Sequence, residues 1–268
     1  MLKQVGLGAL VALMMVGCAA EGPPPDEPAA PKLELVADGA RITGVFVHAG
    51  SVISFTSTLE GPQRASLHLD VNGAILDVTL DLGAQTYRDD GHLNALDADD
   101  LAALLALRDA VAEARPDLLE TLHGKLLVRH ADHMAEAPVG LTLGTKFVDM
   151  AAATASRFED RADADGCGGD GATCLWGTDG WDYAVYDPGD NGTCVWRWAQ
   201  YGESEANCSG RCGSGCYHWF DDDYTWDCFD HDRCVDAYGG STLSGNPNCG
   251  DEFWDAADDY AVTYGAWC

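Results

Sequence analysis

The chain has 268 residues, with 44 Asp+Glu against 15 Lys+Arg and a formal charge of −29. That balance excludes a nucleic-acid binder held by phosphate contacts, which needs Lys and Arg to release counterions, and it opposes electrostatic docking on anionic lipid. An apolar content of 47% is ordinary for a folded protein, and the length suits one large domain or two modest ones.

The first segment, MLKQVGLGALVALMMVGC, has Lys3 ahead of an apolar run, Val5–Val16. That run is too short to span a bilayer, which needs about 20 residues, so it reads as an export signal. Met15-Val16-Gly17-Cys18 resembles a bacterial lipobox, which implies lipid attachment at Cys18 and a place in the cell envelope. The alternative is a secreted protein cut after Ala19-Ala20. Residues 19–32, rich in proline, read as a stiff extended spacer.

Residues 33–150 read as an α+β domain of unknown function. Arg41–His48 and Ser51–Leu59 alternate in the manner of strands, and Ser66–Val71 and Ala74–Leu82 flank Asn72-Gly73, a two-residue hairpin signal. Asp97-Ala-Asp-Asp then starts a helix with acids that complement its dipole. Pro116 opens a second helix through Leu118, Leu119, Leu122, Leu126 and Val128. His130-Ala-Asp-His133 could share a metal across one helical turn, but reads better as a solvated helix end.

Residues 151–166 read as a linker, and the composition changes beyond it. Ten of the 11 cysteines, all eight tryptophans and eight of nine tyrosines fall in 167–268. The ten make an even number in an exported chain, so disulfides are expected. Zinc on Cys208-x3-Cys212-x3-Cys216 is the competing reading, disfavoured by an oxidising compartment. Asp163-x-Asp165-Gly166 and Asp187-x-x-Asp190-Asn191-Gly192 fail the calcium-loop spacing of an EF-hand and suit turns.

The chemistry concentrates in Arg211-Cys-Gly-Ser-Gly-Cys216 and Asp227-Cys-Phe-Asp-His-Asp-Arg-Cys234. Gly213 and Gly215 free the backbone to turn carbonyls inward, and inward carbonyls with one carboxylate make an oxygen cage of the kind Ca²⁺ prefers. On a helix, Cys228, His231 and Asp232 occupy neighbouring faces. The pattern Cys-Gly-x-Gly followed by Cys-x-x-His-Asp-x-Cys resembles the calcium loop and catalytic helix of secreted phospholipase A2, with Cys212 lying 16 residues before Cys228 and 19 before His231. The resemblance covers about 207–268.

It implies a disulfide-rich, mainly helical domain that hydrolyses the sn-2 ester of glycerophospholipids. The carbonyls of Arg211, Gly213 and Gly215 and the Asp232 carboxylate would hold Ca²⁺, His231 would take a proton from water, and the Gly213 N–H would face the oxyanion. Bridges Cys212–Cys228 and Cys234–Cys249 are implied too. The acid that orients the histidine would come from a helix over Asp251–Tyr264; Gly250 stands where the family places it, so Asp251 is the candidate and Asp255 the runner-up. Asp227, Cys216 and Val235 also depart from the family pattern. The expected partner is a phospholipid or membrane surface, with no nucleic acid, and the chain is expected to be a monomer. Trp219, Tyr224, Trp226, Trp254 and Trp267 suit a core better than a lipid-contact surface, and Asp221–Asp223 suits a solvated loop. Two rivals remain: a non-catalytic surface lipoprotein that keeps the fold, and an envelope protein in which the cysteines only stabilise a coat.

Overall fold

In the computed structural model, the described residues are 30–151, 167, 174–175, 179–189, 192–204, 208–212, 224–238 and 247–263, the side chains of 251, 258, 262 and 263 excepted. The expected signal, the lipobox with Cys18 and nearly all of the spacer fall outside them, as do 152–166, Gly213, Gly215, Cys216, Trp219, Asp221–Asp223 and Trp267. No helix among the described residues is long and apolar enough to cross a membrane.

The chain is α+β. Strands β1 (Lys32–Ala37), β2 (Arg41–His48), β3 (Ser51–Gly61), β4 (Arg64–Val71), β5 (Ala74–Asp81), β6 (Thr86–Ala95) and β7 (Thr142–Asp149) form one antiparallel sheet in sequential order. The sheet is larger than the sequence reading, which had β2 to β5 alone. β1 is an edge strand with no fully buried residue, and β6 is polar and broken by a register shift between Asp90 and Asn94. β6 lacks the apolar alternation that marks a half-buried strand, whereas β1 has it over only six residues, with Leu33, Leu35 and Ala37 turned to the core.

The Asn72-Gly73 hairpin forms as expected. Asn72 has φ 52° and Gly73 φ 96°, so both central residues are left-handed, as a type I′ turn demands. Asn72 Nδ2 donates to Asp100 Oδ1 at 2.6 Å, tying the turn to the first helix. That helix, α1 (Ala98–Ala114), begins in a reciprocal cap: Asp97 Oδ1 accepts from the Asp100 N–H at 2.9 Å, and the Asp97 N–H reaches Asp100 Oδ2 at 3.1 Å.

Pro116 opens a short 3-10 helix, Pro116–Glu120, not the α-helix expected there. The α-helix α2 (Leu122–Ala135) starts afresh from Thr121, whose extended backbone and side chain cap it through the Gly124 N–H. Helices α1 and α2 cover one face of the sheet. Leu101, Leu104, Leu107, Leu126 and Leu127 are buried there against Ile53, Leu67, Leu69 and Leu76. Burying side chains of this size contributes roughly 1.5–3 kcal/mol each. Between the helices, Arg108 donates to Asp132, and both side chains are buried.

Beyond residue 151, β8 (Asp179–Tyr186) and β9 (Val195–Gly202) form a two-stranded antiparallel sheet, followed by α3 (Trp226–Tyr238) and α4 (Gly250–Thr263). Among its described residues this part combines two short strands with helices. Disulfides described in it are Cys167–Cys194, Cys212–Cys228 and Cys234–Cys249. Such bridges point to an extracellular or otherwise oxidising location. α4 also reaches out of this part, since Phe253 and Ala261 are buried in the same core as the sheet and α1–α2.

Gly124 sits in the first turn of α2, where a Cβ would lie 2.0 Å from the Leu118 carbonyl oxygen. Helix propensity alone favours alanine over glycine by about 1 kcal/mol, but a backbone atom cannot swing aside. Gly124→Ala is expected to lower unfolding free energy by roughly 1–3 kcal/mol, as overpacking does. Urea denaturation reads it, and a more stable variant would contradict the packing.

Candidate functional site

The helix predicted around the Cys-x-x-His-Asp-x-Cys run is α3. Its first bond runs from the Phe229 N–H to the Thr225 carbonyl at 3.2 Å, and the Asp227 N–H, one of the orphan donors of a helix start, is accepted by Asp259 of α4 at 2.9 Å. Cys228 bridges to Cys212, and Cys234 to Cys249 at the head of α4. Both bridges are those the resemblance implied. Ala256 and Tyr260 of α4 pack around Cys228 and Cys212, so the loop, α3 and α4 converge on one crosslink.

The loop before Cys212 lies directly against Asp232. The Gly210 N–H donates to Asp232 Oδ2 at 2.7 Å, and the Gly210 carbonyl accepts from the Thr225 N–H at 2.8 Å. Gly210 has φ +90°, and a Cβ there would meet Leu175 Cδ1 at 2.9 Å and Phe229 Cβ at 3.3 Å. Only glycine fits. The sequence reading placed the critical glycines at 213 and 215, which lie outside the described residues, and passed over Gly210. Its signal was present as a Ser-Gly-Arg turn just before the loop. Arg211 is buried beside it.

His231 is 3% exposed, its ring centroid 5.9 Å from that of Phe253 on α4. Burial drives its pKa down to about 4, so the imidazole is neutral at pH 7, and Nε2 has no hydrogen-bond partner among the described residues. The acid expected to orient it is not found on that nitrogen. Asp255 does not reach Nε2, and the side chain of Asp251 is not among those described. Burial raises the Asp232 carboxyl to about 8, with Asp236 adding to the rise and the Gly210 N–H and Arg233 opposing it.

Helix α2 of the first part of the chain packs against the same α4 residue that meets His231, a contact not evident from the sequence. His130 and His133 do not end α2 in solvent; they are 0% and 1% exposed. For His133 the reason is α4. His133 stacks on Phe253 with ring centroids 4.6 Å apart and lies 4.4 Å from Tyr260, whose hydroxyl donates to Asp132 at 3.3 Å. Burial, then the neighbouring His130 and His231, push the His133 pKa well down. Glu136, at the end of α2, is buried as well. Burial, then Asp132 and Asp232, push its carboxyl well up, while Arg108 and Arg211 oppose this. Its Oε1 has no hydrogen-bond partner among the described residues.

Asp232 thus adds to the rise of Glu136, a buried carboxyl from another part of the chain, while Arg108 and Arg211 oppose it. Ionising both carboxyls in a low-dielectric interior is costly, and a bound cation would lower that cost. A divalent ion with oxygen ligands fits that donor set. The tight sulfur–carboxylate group at Cys234, Cys249 and Glu252 does not, because both sulfurs are spent in a disulfide. Tyr224 is buried, and Trp226 and Trp254 are partly buried against core residues, so they belong to packing. Asp187 accepts from the Gly192 N–H and serves a turn, as its spacing suggested.

Residues 154–268 match a family described as a domain of unknown function (DUF8213), a stretch that covers less than half of the chain. No curated protein and no solved structure shows significant similarity to the chain.

The His231 pKa carries a signed consequence for stability. Folded it is about 4 and unfolded about 6.5, so between those values the unfolded chain binds the extra proton. Stability is complete above pH 6.5 and is lost as pH falls towards 4. Because His231→Gln lacks this titration, the stability difference between wild type and variant should shrink by about 3 kcal/mol from pH 7 to pH 4. A pH-independent difference in chemical denaturation would mean that the imidazole is solvated.

Proposed function

We propose that this protein is a calcium-dependent phospholipid hydrolase of the phospholipase A2 type, exported and tethered to a bacterial envelope through Cys18. The single observation that carries the reading is the clamp. The Cys212–Cys228 bridge and the Gly210 N–H hold a glycine-bearing loop on Asp232, immediately beside a neutral His231.

The chain's own groups have defined tasks in this reading. Neutral His231 keeps a lone pair on one ring nitrogen, and that nitrogen takes the proton of a water as the water oxygen bonds to the ester carbonyl carbon. The bond to the glycerol oxygen then breaks, and the same proton passes from His231 to that leaving oxygen. Asp232 and Glu136, with the carbonyls of Arg211, Gly213 and Gly215, are the groups that would hold Ca²⁺. Bound there, the ion would supply Lewis-acid polarisation of the ester carbonyl. Removal of His133 and Phe253 from the His231 edge admits the water, and contact with solvent returns the imidazole towards its ordinary pKa, where it is a useful base. No serine nucleophile is required.

One observation favours a second reading. His231 is closed off by packing against Phe253, as in a structural histidine. A surface lipoprotein that keeps the calcium loop for binding alone would look the same in this state.

Fatty-acid release from phosphatidylcholine vesicles separates the two. Wild type should release fatty acid in calcium and stop in chelator. His231→Asn should lower release at least 10²-fold while retaining calcium binding, and Asp232→Asn should lose both. Release that persists in chelator would refute the mechanism, and no release under any condition would leave the binding protein.

A further inference from the structure

The β8–β9 hairpin carries an exposed aromatic face outside the stretch that resembles phospholipase A2. In register, Tyr183 stands opposite Trp198, Val185 opposite Trp196, and Trp181 opposite Gln200. Alternation in the strands places these side chains on one face. Trp181 is 56% exposed, Tyr183 46%, Trp196 57% and Trp198 54%. Large rings left this open and this close together mark a surface that meets something else.

The opposite face is fixed to the candidate site. Ala184, Tyr186, Ala199 and Tyr201 are buried. The Tyr201 ring meets Phe229 of α3 edge-on at 5.8 Å, and the Val185 N–H donates to Asp230 of α3 at 2.9 Å. Arg233 donates to the Gln200 carbonyl. The hairpin is therefore mounted on the helix that bears His231, at the residues on either side of the His-Asp pair.

We infer that this aromatic face docks on the headgroup layer of a zwitterionic phospholipid bilayer, with Trp181, Tyr183, Trp196 and Trp198 as the inserting side chains. The inference deepens the phospholipase reading and rests on it in choosing an ester-bearing lipid.

Four features of the face select this occupant. Tryptophan and tyrosine join an apolar ring to a polar N–H or O–H, which suits the water–lipid boundary better than either phase alone. The face carries no charge among its rings. Its one in-register charge is Asp179 at the end, where it accepts from the Ser204 N–H at 2.7 Å, and the chain's −29 disfavours anionic lipid. The rings are tilted, Tyr183 lying at 62° to Trp198 and 70° to Trp196, so they form no flat platform for stacking a sugar chain. Four half-exposed rings offer ~300–550 Å², less than the ~800 Å² each partner buries in a stable dimer. The tether proposed at Cys18 would also keep the folded body near a membrane. From residue 19 to the first strand at Lys32 the spacer is at most about 40 Å long at ~3.1 Å per residue.

Tryptophan quenching by phosphatidylcholine with brominated acyl chains tests insertion directly, and it reads ring depth even if the chain is already tethered. The full chain is used, with chelator present so that no ester is cleaved. Wild-type fluorescence should be quenched on brominated relative to unbrominated vesicles. Trp196→Ser/Trp198→Ser should lose at least half of that quenching, and Trp181→Ser should move the same way with unchanged far-ultraviolet circular dichroism. No quenching of wild type, or equal quenching of the double variant, overturns the inference. So does a spectral shift produced by a soluble neutral glucan and not by vesicles, or a concentration-dependent dimer that the double variant abolishes. Lost quenching with fatty-acid release intact would remove the docking face alone. Intact quenching without release in calcium would remove the hydrolase alone.

Discussion

Everything about the candidate site follows from the seating of α4. Phe253 and Ala261 enter the core built by the sheet and α1–α2, while Ala256 and Tyr260 pack on the Cys212–Cys228 bridge. One helix therefore shares its apolar surface between two bodies. The cost is that polar groups from each side, His133 and Glu136 from α2 and His231 from α3, are taken out of water together. Protein interiors rarely leave such groups without partners. A cluster of them at one junction is a reservoir of free energy that a ligand can draw on.

The sign of that reservoir differs between groups. Burial holds the histidines neutral and leaves their nitrogens able to accept a proton. Burial also pushes the carboxyls of Asp232 and Glu136 up, Asp232 to about 8. A divalent cation would reverse the second effect, because it favours the ionised carboxylates that the empty interior disfavours. The same replacement would relieve repulsion within a segment that carries 23 acids against four arginines beyond residue 158. In the proposed reading, cation binding and carboxyl ionisation are therefore one event.

Much of this was legible from residue order, and the gaps have physical causes. Asn72-Gly73 forced its hairpin because both residues tolerate positive φ. The Asp97 cap was readable because its chemistry is local. The bridges at Cys212, Cys228, Cys234 and Cys249 followed from a resemblance carried by spacing. What could not be read was tertiary. β6 is a central strand with a buried Asp89, whose carboxyl burial lifts to about 7, so no apolar alternation announces it. His130 and His133 look like a solvated helix end until β6 packs on the first and a helix more than a hundred residues later covers the second. Gly210 differs from other turn glycines only because Leu175 and Phe229 crowd it from distant positions. Tyr224, Trp226 and Trp254 pack inward as expected, while the exposed Trp181, Trp196 and Trp198 lie on a hairpin further upstream that nothing in the sequence marked out.

Calcium titration by calorimetry at pH 7, in buffers of differing ionisation enthalpy, tests the coupling between cation and carboxyl most directly. With Asp232 held near pKa 8 and the Glu136 carboxyl pushed up beside it, one Ca²⁺ should bind and displace between about one and two protons into the buffer, and Asp232→Asn should bind none. Binding without proton release, or no binding to the wild-type chain, would contradict the account.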